Sequence, residues 1–157
     1  MYVIITGHTS GIGKHLYENL EGKIIGTSRS NDKPITEISE WFDEKCDLFI
    51  NNAYDDDNPN AQSDALKYVY SKWKNDSSKM IISIGSNAPD FGKGHDYSEG
   101  KRLLDKTNFK YFMESTGVKC SLIRPGWTDT PRITEWWDGK KLKVDRILEV
   151  VNFIINL

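Results

Sequence analysis

Short apolar runs alternate with amphipathic segments along most of the chain. Five runs are rich in apolar and β-branched residues, and they lie at residues 2–6, 23–28, 46–51, 79–84 and 118–123. Runs of this length and composition, bounded by turn-forming residues, are typical of buried strands.

Helical spacing marks the segments between these runs. Ile12, Leu16 and Leu20 recur every four residues and predict one buried helix face. Apolar residues with similar spacing predict further helices at residues 63–74, 97–114 and 145–155. Strands that alternate with helices in this way are typical of parallel βαβ units.

The pattern therefore predicts an α/β fold with a Rossmann-like, doubly wound parallel sheet of about six strands. Helices on both faces make three α/β/α layers, and the sixth strand is a brief one near Ile35. A chain of 157 residues fits one domain, at residues 1–157.

Composition and charge exclude several classes of protein. The net charge of −2 gives no sign of a nucleic-acid partner, and no apolar stretch is long enough for a membrane span. Cys46 and Cys120 lie far apart and form neither a CxxC pair nor a zinc motif, which favours the reducing cytoplasm. The three histidines form no set with nearby acidic residues, so we expect no metal site.

A glycine-rich turn joins the first strand to the first helix. Gly7 permits the sharp turn, Gly11 allows the backbone to approach a pyrophosphate, and Gly13 allows the helix to pack closely on the strand. The helix start offers backbone N–H groups to phosphates. The turn predicts a dinucleotide site that also includes Thr9, Ser10 and Ile12.

Arg29 follows the second strand, where NAD-selective Rossmann domains carry an acidic residue that binds the ribose 2′-hydroxyl. An arginine can instead pair with the 2′-phosphate of NADP. With Ser28 as a further donor, this position predicts NADP(H) as the cofactor.

Tyr97 and Lys101 are four residues apart on a predicted helix, so their side chains project from one face. An ammonium near a phenol favours the phenolate and lowers the tyrosine pKa. The pair is therefore suited to proton exchange with a carbonyl or alcohol oxygen.

With these motifs in order, the chain resembles the short-chain dehydrogenase/reductase family. The matching segments are TGxxxGxG at residues 6–13, NNA at Asn51, Asn52 and Ala53, YxxxK at Tyr97 and Lys101, and the Pro125-Gly126 segment. The resemblance implies that Ser86 is the catalytic serine, for which Ser83 is a weaker candidate. It also implies that Asn51, Asn52, Ala53, Tyr97, Lys101, Pro125, Gly126, Thr128 and Thr130 contact the cofactor.

The function that the resemblance implies is NADPH-dependent reduction of a small carbonyl compound, or the reverse oxidation of an alcohol, with Ser86, Tyr97 and Lys101 as the catalytic set. One alternative is a non-catalytic NADP(H)-binding sensor or scaffold. Another is an epimerase or dehydratase with a retained nicotinamide. The resemblance further implies a homodimer or homotetramer built on helices 63–74 and 97–114.

The chain departs from the family pattern at several points. It is shorter, and the resemblance predicts a truncated C-terminus. Tyr54 stands where the family has glycine, so we expect a partly exposed loop tyrosine there, with stacking on a cofactor ring as the alternative. Asn58 and Asn60 are the nearest candidates for the family's relay asparagine, but neither lies on a predicted helix. The substrate lid is at most residues 131–143. The tryptophans in and near it either wall a pocket or cover the sheet, and they are Trp127, Trp136 and Trp137.

Overall fold

The computed structural model describes residues 1–92, 94–134 and 138–157. Five parallel strands form one sheet in the order β2-β1-β3-β4-β5. The strands are β1 (Tyr2–Thr6), β2 (Lys23–Thr27), β3 (Leu48–Asn51), β4 (Met80–Ile84) and β5 (Lys119–Ile123). The helices are α1 (Gly11–Asn19), α2 (Ile38–Trp41), α3 (Ala61–Trp73), α4 (Ala88–Phe91), α5 (Asp96–Glu114), α6 (Pro131–Thr134) and α7 (Asp145–Ile155).

Helices cover both faces of the sheet, as predicted. Leu16 of α1 and Val151 of α7 are buried against one face. Leu66 of α3 and Leu104 of α5 are buried against the other. Because each buried strand contributes apolar side chains to both clusters, the sheet is the middle of three layers.

The described residues form five strands where about six were predicted. The expected strand near Ile35 is a 3-10 turn over Ile35–Glu37, closed by the Glu37 N–H donating to the Pro34 carbonyl at 3.1 Å. Pro34 has no N–H to donate to a strand ladder, and the turn still buries Ile35 in the core.

The strand order places a crevice at one edge of the sheet. From β1 the chain moves outward to β2, and then returns to the other side of β1 to form β3. The loops after β1 and β3 therefore diverge at the carboxyl ends of these neighbouring strands, which is where ligands bind in open α/β sheets. None of the described helices is long and apolar enough to cross a membrane.

Candidate active site

A cavity of about 1040 Å³ lies at this crevice and is lined by residues that follow all five strands. It brings together most of the site residues predicted from the sequence: Gly7, Thr9, Ser10, Gly11, Ile12, Ser28, Arg29, Asn52, Ala53, Ser86, Tyr97, Lys101, Pro125, Gly126, Thr128 and Thr130. Two predicted residues, Gly13 and Asn51, are not part of its lining.

The glycine turn forms one end of the cavity. Gly7 and Gly11 have φ angles of 72° and 55°, in the left-handed region that favours glycine. Gly13 lies beneath the turn, where a Cβ would be 2.1 Å from the Gly7 carbonyl oxygen and 2.4 Å from Asn52 Nδ2. Gly13 therefore allows α1 to start directly against the end of β1.

Hydrogen bonds from Thr6 join the ends of β1 and β3. Its Oγ1 accepts the backbone N–H groups of Asn52 and Ala53, both at 2.9 Å. The Asn52 side-chain amide donates to the Thr6 carbonyl at 3.0 Å. These bonds hold the NNA segment beside the glycine turn.

Arg29 lies on the rim of the cavity, in a 3-10 turn over Arg29–Asn31. The turn is fixed by Asn31, whose Oδ1 accepts the Ser28 N–H at 2.9 Å. Ser28 Oγ is 2.7 Å from Ser30 Oγ. Arg29 is exposed and forms no ion pair with any residue in the described part of the chain.

Lys101 is buried on α5, with only 4 % of its surface exposed. Its Nζ donates to Gln62 Oε1 at 2.7 Å and to the Ile84 carbonyl at 3.0 Å. Burial, and then the nearby charge of Arg132, lower the pKa of Lys101 to about 7. Both hydrogen-bond acceptors are neutral oxygens, so neither holds the ammonium in its charged form as a carboxylate would.

Gln62 connects Lys101 to the sheet. Its Nε2 donates to the backbone carbonyls of Asn51 and Ile84 at 2.7 and 2.9 Å, and its backbone carbonyl accepts the Asn51 side-chain amide at 2.8 Å. The sequence reasoning missed this residue, because it sought an asparagine at Asn58 or Asn60. The available signal was a glutamine directly before the helix predicted at residues 63–74, four residues before Leu66, where it would share the apolar face if the helix began earlier.

Tyr97 lies at the start of α5, in edge contact with Tyr54. Their ring centroids are 4.8 Å apart at an interplanar angle of 71°. Tyr54 is half-buried in the cavity wall, and burial raises its pKa. Lys101 Nζ lies 5.7 Å from the Tyr97 centroid, so the ammonium is near the phenol ring without any hydrogen bond to it.

Ser86 is buried in the short loop between β4 and α4. Its Oγ accepts the backbone N–H of Ala88 at 3.0 Å, at the start of α4. This bond fixes the Ser86 side chain at the cavity wall that it shares with Tyr97 and Lys101.

The segment after Pro125-Gly126 is held by contacts among its own residues. Thr128 Oγ1 donates to the Gly126 carbonyl at 3.0 Å, and Leu142 pairs with Thr128 in a short parallel bridge. The predicted lid, residues 131–143, begins with α6, and Trp127 lines the cavity. The predictions for Trp136 and Trp137 lie outside the described residues.

Among all the residues that the structure describes, no group of His, Cys, Asp and Glu side chains is arranged to hold a metal ion.

Solved structures with the same fold are similar to nearly the whole chain. Serine dehydrogenase complexed with NADP+ has 18 % identity and a TM-score of 0.71, over 100 % of this chain and 90 % of that one. A short-chain dehydrogenase from Burkholderia cenocepacia in complex with NADP has 15 % identity and a TM-score of 0.70, over 98 % and 89 %. The protein has the short-chain dehydrogenase fold.

A third structure, the 3-alpha-hydroxysteroid dehydrogenase from a Pseudomonas species complexed with NADH, is similar over 97 % of this chain and 88 % of that one, with 16 % identity and a TM-score of 0.68. No protein-family model and no curated protein matches the chain. These structures confirm the short-chain dehydrogenase fold that the motifs predicted.

Proposed function

We propose that the protein is an NADP(H)-dependent oxidoreductase of the short-chain dehydrogenase/reductase family that reduces a small carbonyl compound. The observation that carries this proposal is the shared cavity: Ser86, Tyr97 and Lys101 line the same space as the glycine turn and Arg29. Two of the similar structures are complexes with NADP and one is a complex with NADH, which supports a nicotinamide cofactor here.

The chain fits a dinucleotide at the glycine turn. A Cβ on Gly11 would meet only Thr130, at 3.6 Å, so the backbone at this point borders open space in the cavity. Ser10 precedes the nine-residue helix α1 and makes no side-chain capping bond among the described residues. The first N–H groups of α1 are thus suited to pyrophosphate oxygens.

Arg29 is the residue we propose for selecting NADP(H). It is an exposed residue beside the end of β2, and its sequence neighbours Ser28 and Ser30 also line the cavity. A guanidinium can bind a 2′-phosphate with two parallel hydrogen bonds. A charge-assisted bond of this kind contributes about 1.5–3 kcal/mol, or roughly ten- to a hundredfold in affinity.

In the proposed reaction, a bound NADPH would supply the hydride that reduces the carbonyl carbon. Tyr97 donates its phenolic proton to the carbonyl oxygen, and the Ser86 hydroxyl donates a hydrogen bond to the same oxygen. Lys101 favours the phenolate through its charge and binds the ribose, while Gln62 and the Ile84 carbonyl fix its Nζ. A reducing compartment such as the cytoplasm suits the free Cys46 and Cys120.

Calorimetric titration with NADPH and with NADH tests the cofactor site. We expect wild-type protein to prefer NADPH, and Arg29→Gln to lose roughly ten- to a hundredfold in NADPH affinity with little change for NADH. Arg146→Gln, which removes an exposed arginine of α7 outside the cavity, is the matched control. If neither cofactor binds the wild-type protein, the oxidoreductase proposal is wrong.

NADPH oxidation with a panel of small aldehydes and ketones tests the catalytic set. Tyr97→Phe should lower kcat at least about a hundredfold, because the proton donor is lost, and should leave NADPH affinity within about threefold. Tyr111→Phe removes a hydroxyl from the same helix outside the cavity and serves as control. Undiminished turnover by Tyr97→Phe rejects the assignment, and tight NADPH binding without any turnover favours the sensor alternative.

A further inference from the structure

A second cationic side chain lies beside the proposed catalytic tyrosine. Arg132, on α6, places its guanidinium carbon 5.6 Å from the ring centroid of Tyr97 and 5.3 Å from that of Tyr54. All three side chains line the cavity. The proposed carbonyl reduction gives Arg132 no role.

The two tyrosines hold this guanidinium in place. A guanidinium over an aromatic face is attracted by the ring electrons, and here two rings in mutual edge contact share one cation. Arg132 Nη2 also donates to Asp56 Oδ1 at 2.6 Å. The Asp56 side chain is 73 % exposed and also lines the cavity, so Arg132 already binds an exposed carboxylate at this point.

Charge is concentrated around Tyr97. Lys101 Nζ and Arg132 Cζ lie 5.7 and 5.6 Å from its ring centroid, so two basic groups are close to the ring. Lys101 is buried, whereas the Arg132 side chain is half exposed and open to the cavity. Of the two basic groups near Tyr97, Arg132 is therefore the one that an anion in the cavity can reach.

We propose that Arg132 binds the carboxylate of the substrate, and that the substrate is a short oxo acid, reduced to the corresponding hydroxy acid. This inference rests on the proposed function. A carboxylate paired with a guanidinium has N···O distances of about 2.8 Å. Because Arg132 Cζ lies 5.6 Å from the Tyr97 ring centroid, we expect a carbonyl close to the carboxylate to meet the phenol best, which favours short 2-oxo and 3-oxo acids.

The proposed reaction is balanced. One hydride passes from NADPH to the carbonyl carbon and one proton passes from Tyr97 to the carbonyl oxygen. The products are a hydroxy acid and NADP+, and the phenolate regains its proton from solvent. The carboxylate is unchanged and serves to orient the substrate.

Steady-state kinetics with matched pairs of substrates test the inference. We expect kcat/KM to be at least tenfold higher for 2-oxobutanoate or 3-oxobutanoate than for the corresponding methyl ester. Arg132→Met should lower kcat/KM for the preferred acid about ten- to a hundredfold more than for its ester, mainly through KM. Arg132→Lys, which keeps the charge and loses the planar fork, should fall between the two.

The ion pair with Asp56 provides a variant with the opposite expected effect. Asp56→Asn removes a carboxylate that competes for Arg132, so the KM for the preferred acid should fall about two- to fivefold. Asp57→Asn removes the same charge from the same loop at a residue outside the cavity lining, and it should change this KM by less than Asp56→Asn does. Equal effects of the two variants would argue for general charge rather than the ion pair.

Binding of the unreactive acid butanoate, and of neutral butanamide, separates this inference from the proposed function. Calorimetry of the wild-type protein, with and without NADP+, should detect butanoate and not butanamide, and Arg132→Met should abolish the difference. If such binding occurs without any turnover, the anion site stands and the reductase proposal fails. If wild-type protein treats acids and neutral analogues alike in both assays, or if Arg132→Met weakens NADPH binding instead, the inference is overturned.

Discussion

At the scale of single residues, the burial of Lys101 has a thermodynamic cost that follows from its surroundings. Its hydrogen bonds go to neutral oxygens of Gln62 and Ile84, and its pKa falls to about 7 from an ordinary value of 10.5. Between these two pH values the unfolded chain binds more protons than the folded one, so folding stability rises with pH. The loss of folding stability caused by burying the charged lysine is complete below pH 7, and it disappears as the pH approaches 10.5.

Replacing Lys101 by methionine should remove this pH dependence. Relative to the wild type, the free energy of unfolding of Lys101→Met should be shifted upward at pH 7, and the shift should shrink by about 2 kcal/mol between pH 7 and 9. Urea denaturation at several pH values measures this. Lys106→Met, at an exposed position of the same helix, should show no such trend, and a constant difference for Lys101→Met would contradict the assigned cause.

Gln62→Glu tests the hydrogen bond between Lys101 and Gln62 by changing the acceptor instead of the donor. A carboxylate 2.7 Å from Lys101 Nζ favours the ammonium and raises the lysine pKa, so the rise of stability between pH 7 and 9 should become smaller than in the wild type. The same variant should move any pH dependence of turnover that depends on Lys101 toward higher pH. An unchanged pH profile in both measurements would mean that the contact does not control Lys101.

At the scale of elements, the join between β1 and α1 depends on the absence of a side chain at residue 13. Gly13 is helical and buried, and its Cα faces the Gly7 carbonyl and the Asn52 amide. In an open helix, alanine is more favourable than glycine by up to about 1 kcal/mol. At Gly13 the close packing must outweigh that preference. The atom nearest to an added Cβ is the Gly7 carbonyl oxygen, which belongs to the backbone and cannot move aside as a flexible side chain could.

Gly13→Ala should therefore be destabilising, in contrast to the usual effect in a helix. We expect a loss of about 1–3 kcal/mol in unfolding free energy, from overpacking against the glycine turn, together with weaker NADPH binding. Lys14→Ala, at the next and exposed position, should change stability by less than about 0.5 kcal/mol. Chemical denaturation and calorimetry check both effects, and a stabilised Gly13→Ala would refute the close approach.

At the scale of the whole molecule, α5 leaves an apolar stripe exposed. Phe109, Phe112 and Met113 are 66 %, 63 % and 66 % exposed, and their i, i+3, i+4 spacing puts them on one side of the helix. The opposite side of α5 is buried through Leu104. Together with the family resemblance, this stripe is the basis for proposing a homodimer or homotetramer that uses α5.

Sedimentation or light scattering at several concentrations should show self-association that depends on this stripe. Phe112→Asp should shift the protein toward monomer by placing a charge in the apolar contact. Phe153→Asp, at an exposed apolar position on α7, is the matched control and should leave the assembly intact. A wild-type protein that stays monomeric at high concentration would contradict the proposal.

Local pattern was enough to predict most of the fold. Each strand and long helix has its own apolar period, so their presence could be predicted from a few neighbouring residues. The helix predicted at 145–155 is confirmed as α7 (Asp145–Ile155). The prediction of a strand near Ile35 was wrong. A single buried isoleucine is compatible with a turn as well as with a strand, and the preceding Pro34 favours the turn.

The sequence by itself determined the α/β class, the glycine turn and the spacing of Tyr97 and Lys101, since these depend on backbone preference and helical period. Only the tertiary structure decided which distant residues meet. Gln62 against Lys101, and Arg132 against Tyr97, are contacts between different elements that no local period encodes. They form because the sheet order brings the loops after several strands to one crevice, where burial and charge then act between side chains far apart in the chain.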